Sequence, residues 1–284
     1  MAFKFNFFDE AGPFQAAQTR SGDDLTPIFG RDATLKSNAS LLPSGRVNDE
    51  AIGRSLARLA NSSQGERPDI HVLPDGTTVT TLNGGTLSQQ DRIAQATDVL
   101  PGRYEGGLKI WECSFDAISV LKDVPRVGRV LDLGCGAGLV GIWILKTWPE
   151  CEVTFHDLNF DVLERATIPN VNLNDKAFMK RSHFCFGPWD SSPELLDDSF
   201  DLIVTADTLY DPETLEALSK VILRVLAPGG KAYIAAKRFY FGVGGGVSTF
   251  TSLMARLGGC QTRVLASFQD GVSNIRDVLE LTKL

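Results

Sequence analysis

The sequence has no C-x-x-C pair. Its five cysteines, Cys113, Cys135, Cys151, Cys185 and Cys260, are odd in number and irregularly spaced. That argues against a disulfide framework or a thiolate metal site, and for reduced thiols in a cytoplasmic or nuclear compartment. The three histidines, His71, His156 and His183, are scattered and give no ligand spacing, so no metal is expected. No window of about 18 apolar residues occurs, so no transmembrane helix and no membrane role is expected. The start, M-A-F-K-F-N-F-F-D-E, is too short and too soon acidic for a secretory signal. No Lys/Arg-rich run is present and the formal charge is −7, so direct nucleic-acid binding through phosphates is not expected. There is no internal repeat. What remains is an ordinary globular composition over 284 residues, enough for one large domain plus an extension. A monomer is expected by default.

Against these absences one stretch stands out, Val130-Leu131-Asp132-Leu133-Gly134-Cys135-Gly136-Ala137-Gly138-Leu139-Val140-Gly141. An apolar strand meets an acid, becomes a glycine loop and opens an apolar helix. Glycines serve where backbone turns sharply and approaches a ligand closely, and such a loop aims N–H groups at whatever lies over the helix start. Gly136, Gly138 and Gly141 also satisfy the dinucleotide fingerprint, with Asp157 at a suitable distance. Asp132 argues against that ligand, because a carboxylate before the loop crowds a pyrophosphate but suits a cation. S-adenosylmethionine carries an ammonium next to a sulfonium.

The rest of the chain frames that stretch. Phe3, Phe5 and Phe7 alternate at strand period. Residues 9–48 are rich in Ser, Gly, Pro and Asp and read as mostly disordered or loosely attached. Residues 49–60 suit a short amphipathic helix, and 70–82 read as two strands around the turn Pro74-Asp75-Gly76. Residues 89–100 suit another helix. These make an N-terminal extension over 1–100, before a domain over 101–284. From Val130 onward strands and helices alternate: strands at 130–133, 152–156, 183–186, 202–205 and 231–236, helices at 139–147, from 160, and at 212–226 with a stop at 227–230, then a last helix and two strands. The fold class is therefore α/β, a Rossmann-like, mainly parallel sheet with helices on both faces.

Ligands on such sheets bind outside the C-terminal ends of the strands. Gly134, Asp157, Trp189 and Asp207 all lie at those ends. Asp157 suits both ribose hydroxyls, or else caps a helix. Trp189 offers a face to adenine, or is core. Asp207 and Tyr210 form an acid-x-x-Tyr turn where the transferred group would sit, or else cap and pack on the next helix. Trp111, in the segment from Leu100 to Ser114, is a wall over the donor site or a core residue. Tyr240-Phe241-Gly242-Val243-Gly244-Gly245-Gly246 lies beside the same mouth, as a grip on a substrate backbone or a plain connection.

The D-L-G-C-G-A-G loop resembles the first motif of the class I, seven-stranded methyltransferases. P-G-x-Y-E-G-G-L-K-I-W-E-C, that loop and Y-F-G-V-G-G-G together resemble the protein-histidine N-methyltransferase family, over roughly the last two thirds of the chain. The F-x-F-N-F start is similar too. The family has Glu where this chain has Asp207, so charge is kept and reach is shorter. The resemblance implies S-adenosyl-L-methionine as methyl donor and a large-subunit ribosomal protein as substrate. It places Ile110, Trp111, Glu112, Cys113, Ser114, Asp132, Gly134, Gly136, Asp157, Leu158, Asn159, Gly187, Trp189 and Ala206 around the donor. Asp207 and Tyr210 become the catalytic candidates, Asp207 accepting a hydrogen bond from the non-reacting imidazole N–H. Lysine or small-molecule methylation on the same fold, and a non-catalytic escort of a ribosomal protein, are the competing readings.

Overall fold

A computed structural model describes residues 43–62, 68–82, 106–192, 196, 199–271 and 274–284. The expected strand at 3–7, most of the 9–48 stretch, the helix at 89–100 and Pro101 to Glu105 lie outside the described residues. Five strands form the parallel part of the sheet: β4 (Arg129–Leu133), β5 (Glu152–Asp157), β6 (Ser182–Phe186), β7 (Phe200–Ala206) and β8 (Leu226–Lys237). β9 (Cys260–Phe268) and β10 (Arg276–Lys283) follow as a hairpin. β1 (Gly45–Arg46) adds two residues antiparallel to β6, so the end of the stretch expected to be loose is in fact an edge strand.

The spatial order is β1-β6-β5-β4-β7-β8-β10-β9. Without β1 this is a seven-stranded sheet with only β10 reversed, paired antiparallel to both β8 and β9. Parallel strands need crossovers, and the crossover helices bury both faces. Val130, Leu131 and Leu133 are accordingly fully buried although neighbours in sequence. Sequence order reverses at β4, with β5 on one side and β7 on the other, which opens a crevice at their C-terminal ends.

The helices are α1 (Asp49–Ser62), α2 (Glu112–Leu121), α3 (Leu139–Thr147), an interrupted α4, α5 (Leu215–Val225) and α6 (Val247–Leu257). α4 runs from Phe160–Val162 through a π turn at Leu163–Thr167 into Ile168–Asn174. Pro169 explains the π turn: it has no N–H to give and its ring needs room in the preceding turn. The helix expected at 212–226 ends at Val225, and Ala227 to Gly230 form a bulge within β8. Phe200 pairs Leu226, and Leu202 then pairs Lys231. Pro228 offers no donor and Gly229 has φ +73°, so the ladder steps around them.

The described part of the extension is docked. Asn48 caps α1 through its side chain and the Ala51 N–H, 2.9 Å. Arg58 pairs with Glu164 at 2.6 Å. The expected hairpin forms from β2 (Asp69–Val72) and β3 (Thr78–Thr81). Its Leu73 and Val79 enter the main core, and Asp75 accepts the Trp143 indole N–H at 2.8 Å. Asn174 of α4 brackets Thr80 on both backbone groups, accepting its N–H and donating to its carbonyl.

Gly141 sets how closely α3 lies on the sheet. A Cβ there would stand 2.3 Å from Phe155 Cε1, and Phe155 is fully buried and stacked on Phe184. Alanine would gain up to about 1 kcal/mol of helix propensity, but overpacking a core costs about 1–3 kcal/mol. Gly141→Ala is therefore expected to lower stability by a net ~1–2 kcal/mol, read as the shift of a urea midpoint. An unchanged midpoint would mean that Phe155 yields freely.

Candidate functional site

The glycine loop is built by its own hydrogen bonds. The N–H groups of Gly134 and Cys135 both donate to the His156 carbonyl at 2.8 Å, and Gly138 N–H donates to Cys135 O. Gly136 N–H donates to Asp157 Oδ2 at 3.0 Å. Gly141 N–H donates to Asp132 Oδ2 at 2.9 Å. Gly134, Gly136 and Gly138 all have positive φ. Five loop N–H groups are thus satisfied within the protein. A pyrophosphate needs such groups pointing at it, so the loop is poorly suited to a dinucleotide. It is suited to a ligand approached by bare backbone and by carboxylates.

Two buried carboxylates border it. Asp132 is held by burial at a pKa of about 7; the Gly141 N–H opposes that rise and the charge of Asp157 adds to it. Its Oδ1 is left for a ligand. A cation beside Asp132 would favour the ionised form, which fits the sulfonium and ammonium of S-adenosylmethionine. Asp157 bonds through both oxygens, Oδ2 to Gly136 and Oδ1 to the Asn159 N–H at 3.1 Å. The wall over the loop is close: a Cβ on Gly136 would meet Gly107 O at 2.8 Å, and one on Gly107 would meet Asp157 Oδ2 at 3.2 Å.

The other end of the crevice is organised by Asp207. Among the described residues it alone, apart from glycines, has positive φ, +55°, and its N–H is fixed by Ala235 O. Asp207 Oδ2 accepts the Cys113 N–H at 3.2 Å. Oδ1 accepts the Tyr240 hydroxyl at 2.8 Å. Lys237 Nζ stands 4.0 Å from Asp207 Oδ1 and 3.5 Å from Glu112 Oε2, over the rings of Trp111 and Tyr240. Tyr210 meets Tyr240 edge-on at 6.3 Å between centroids. Burial, then the charge of Asp207, push the Tyr240 hydroxyl and the Cys113 thiol well above their usual pKa. Both therefore keep their protons at neutral pH.

A family model described as lysine methyltransferase matches residues 106–242. A histidine protein methyltransferase 1 homolog of Rattus norvegicus is 33% identical over 257 residues, covering 76% of this chain and 70% of that protein. The chain belongs to the histidine protein methyltransferase family. The homolog of Dictyostelium discoideum is 39% identical over 196 residues, 68% of this chain and 62% of its own length. The enzyme of Schizosaccharomyces pombe is 30% identical over 208 residues, 56% and 60%. The chain thus spans somewhat under two thirds of several of its curated relatives.

In this family member the residues expected from sequence fall into two groups. Asp132, Gly134, Gly136, Asp157 and Asn159 meet at the loop, and Leu158 lies between the last two in the chain. Ile110, Trp111, Glu112, Cys113 and Ser114 form the turn into α2, which reaches Asp207 through Cys113. Ala206 ends β7, and Thr208 touches the loop: its Cγ2 lies 2.7 Å from where a Gly134 Cβ would be. Two more follow β6. Gly187 donates to Asp157 O but packs on Ser44 of the extension. Trp189 is half-buried against the core cluster shared by the sheet, α5 and α6. Sequence reasoning passed over Lys237 and the hydroxyl of Tyr240; the position of Lys237 at the C-terminal end of β8 was the available signal. Gly245 and Gly246 pack against backbone of Tyr210 and Arg238, leaving no room for a Cβ, so the glycine run is a fixed joint there. A cavity of about 220 Å³ near Arg46, Arg129, Glu152 and Ser182 lies at the opposite ends of the strands and is separate from this crevice.

A donor seated beside Asp132 is expected to bind with an affinity that depends on pH. The Asp132 carboxylate is raised in pKa, so it is protonated below about pH 7 and attracts a cation only above it. Affinity for S-adenosylmethionine is expected to rise up to about tenfold from roughly pH 6 to pH 8, and Asp132→Asn should flatten that rise. Calorimetric titration at several pH values checks this. Gly134→Arg, at φ +74° and against Thr208, should abolish donor binding in the same titration.

Proposed function

We propose that this chain is an S-adenosylmethionine-dependent protein-histidine N-methyltransferase that modifies one imidazole nitrogen of a large-subunit ribosomal protein. The names of its relatives support the histidine reaction. The donor, when bound, supplies a methyl group made electrophilic by its sulfonium. This chain's residues bind it, orient the acceptor and keep water out.

The observation that carries the proposal is the make-up of the acceptor end. A lysine acceptor, with a pKa of about 10.4, must lose a proton before it can react. Here Tyr240 and Cys113 hold their own protons, and both oxygens of Asp207 already accept hydrogen bonds. The Tyr240 hydroxyl and the Cys113 thiol are therefore unsuited to deprotonating an ammonium. An imidazole, at about 6.5, is mostly neutral near pH 7 and already has one acceptor nitrogen. Rate then comes from alignment and from charges placed where charge develops. Phe239 and Phe241, exposed on either side of inward Tyr240, give a polypeptide something to lie against at the mouth. The charge of −7 complements a basic ribosomal protein.

The test is methyl transfer from labelled donor to large-subunit ribosomal proteins, free and assembled, with the modified residue mapped by fragmentation mass spectrometry. Label on histidine is the expected result. Label on lysine would discard the histidine reading and keep the donor site; donor binding with no transfer would favour the escort. Asp207→Ala strands two buried donors, Cys113 N–H and Tyr240 OH, each costly to leave unsatisfied. It is expected to reduce transfer by more than about 100-fold while sparing donor affinity; equal turnover would remove Asp207 from the site.

A further inference from the structure

We propose that Glu112 accepts the hydrogen bond from the non-reacting N–H of the acceptor imidazole, and that Lys237 holds its carboxylate in the orientation that does so. This rests on the histidine reading above.

The family resemblance places Glu112 with the donor and gives the N–H to Asp207. The geometry divides the work differently. Each oxygen of Asp207 already accepts a strong donor, the Cys113 N–H and the Tyr240 hydroxyl. Glu112 Oε2, by contrast, is buried and has no hydrogen-bond partner. Buried polar atoms are nearly always bonded, and a charged one left without a donor is costly. Its neighbour is the Lys237 ammonium at 3.5 Å, an ion pair without a hydrogen bond. The side chain as a whole is 41% exposed, so the carboxylate stands at the mouth with one oxygen turned inward. In this assignment the imidazole N–H approaches that carboxylate.

The charges around Glu112 come from four elements. Asp207 faces it from β7 and Lys237 from β8. Asp116 lies one turn along α2 and is neutralised by Arg276 of β10. Lys237 is pinned between the Trp111 and Tyr240 rings, so it keeps Glu112 turned inward.

The step balances simply. The free imidazole nitrogen forms a bond to the methyl carbon with its own electron pair. The carbon–sulfur bond breaks, and its pair stays on sulfur. The ring becomes a methylimidazolium that still carries the opposite N–H. Glu112 stabilises that charge through the hydrogen bond. The N–H stays on the ring nitrogen while the methyl is transferred. The proton leaves to water. Because Glu112 engages one nitrogen, it also decides which nitrogen faces the methyl.

The test compares wild type, Glu112→Gln and Glu112→Asp on the ribosomal substrate that wild type modifies. It reads kcat, KM for donor, and the ratio of the two methylhistidine isomers after hydrolysis. Glu112→Gln is expected to lower kcat by about 10- to 100-fold, leave KM for donor within about twofold, and produce both isomers. Glu112→Asp keeps the charge with shorter reach and is expected to recover part of the rate and the wild-type isomer. Wild-type rate and a single isomer in Glu112→Gln would overturn the assignment, as would equal losses in Gln and Asp with one isomer throughout. A wild type that methylates no histidine would overturn the reading of the reaction itself, and this assignment with it.

Discussion

The carboxylate of Asp207 is the tie on which one end of the crevice depends. It sits where β7 ends, in a left-handed backbone conformation that L residues rarely adopt. From there one oxygen fixes the start of α2 through Cys113, and the other fixes the segment after β8 through Tyr240. Three pieces of chain far apart in sequence are joined by two hydrogen bonds to one charged group. Charge-assisted bonds of this kind are about twice as strong as neutral ones, and they act where water is scarce. The strain at Asp207 is of the sort that persists only when its surroundings over-determine it.

Around that tie the crevice concentrates negative charge. Asp132, Asp157 and Asp207 are buried, and Glu112 has one oxygen inside. Lys237 is the cation set among the acceptor-end acids. Such an arrangement works against the stability of the empty protein, since burying charge is unfavourable unless it is matched. It suits a protein whose donor is cationic and whose transition state spreads positive charge onto the acceptor. Asp132 shows the same logic on the donor side, where burial lifts its pKa to about 7. The glycine loop completes it by satisfying its own N–H groups, which leaves little there to attract an anion.

The described extension supports the site from behind. The β2–β3 hairpin is held by Asn174 on both backbone groups of Thr80, and α1 is held by Arg58 on Glu164. Both partners belong to α4, the helix that follows Asp157. β1 and Ser44 lie against β6 and Gly187, at the next loop of the crevice. The extension thus presses on the elements that carry the donor-side acid and the loop after β6.

Local sequence determined the sheet, the loop and the direction of the crevice. Predominantly apolar strands such as Leu202 to Val204 are buried on both faces, glycine spacing fixes a turn whatever surrounds it, and alternation of strand and helix enforces parallel order. Bounds shifted by two or three residues at several ends, as at Leu215 and Phe200, and failed outright where tertiary pairing decides, as in the bulge at Ala227 to Gly230 and the edge Gly45–Arg46 against β6. The acceptor end was half legible. Asp207 and Tyr210 stand out as an acid-x-x-Tyr turn, but the partners of Asp207 are a backbone N–H from 94 residues earlier and a hydroxyl 33 residues later. No spacing encodes such contacts. Whether a carboxylate is already committed, as at Asp207, or still lacks a donor, as at Glu112 Oε2, depends on which side chains the fold brings within 3 Å or so of it, and only the tertiary structure decides that.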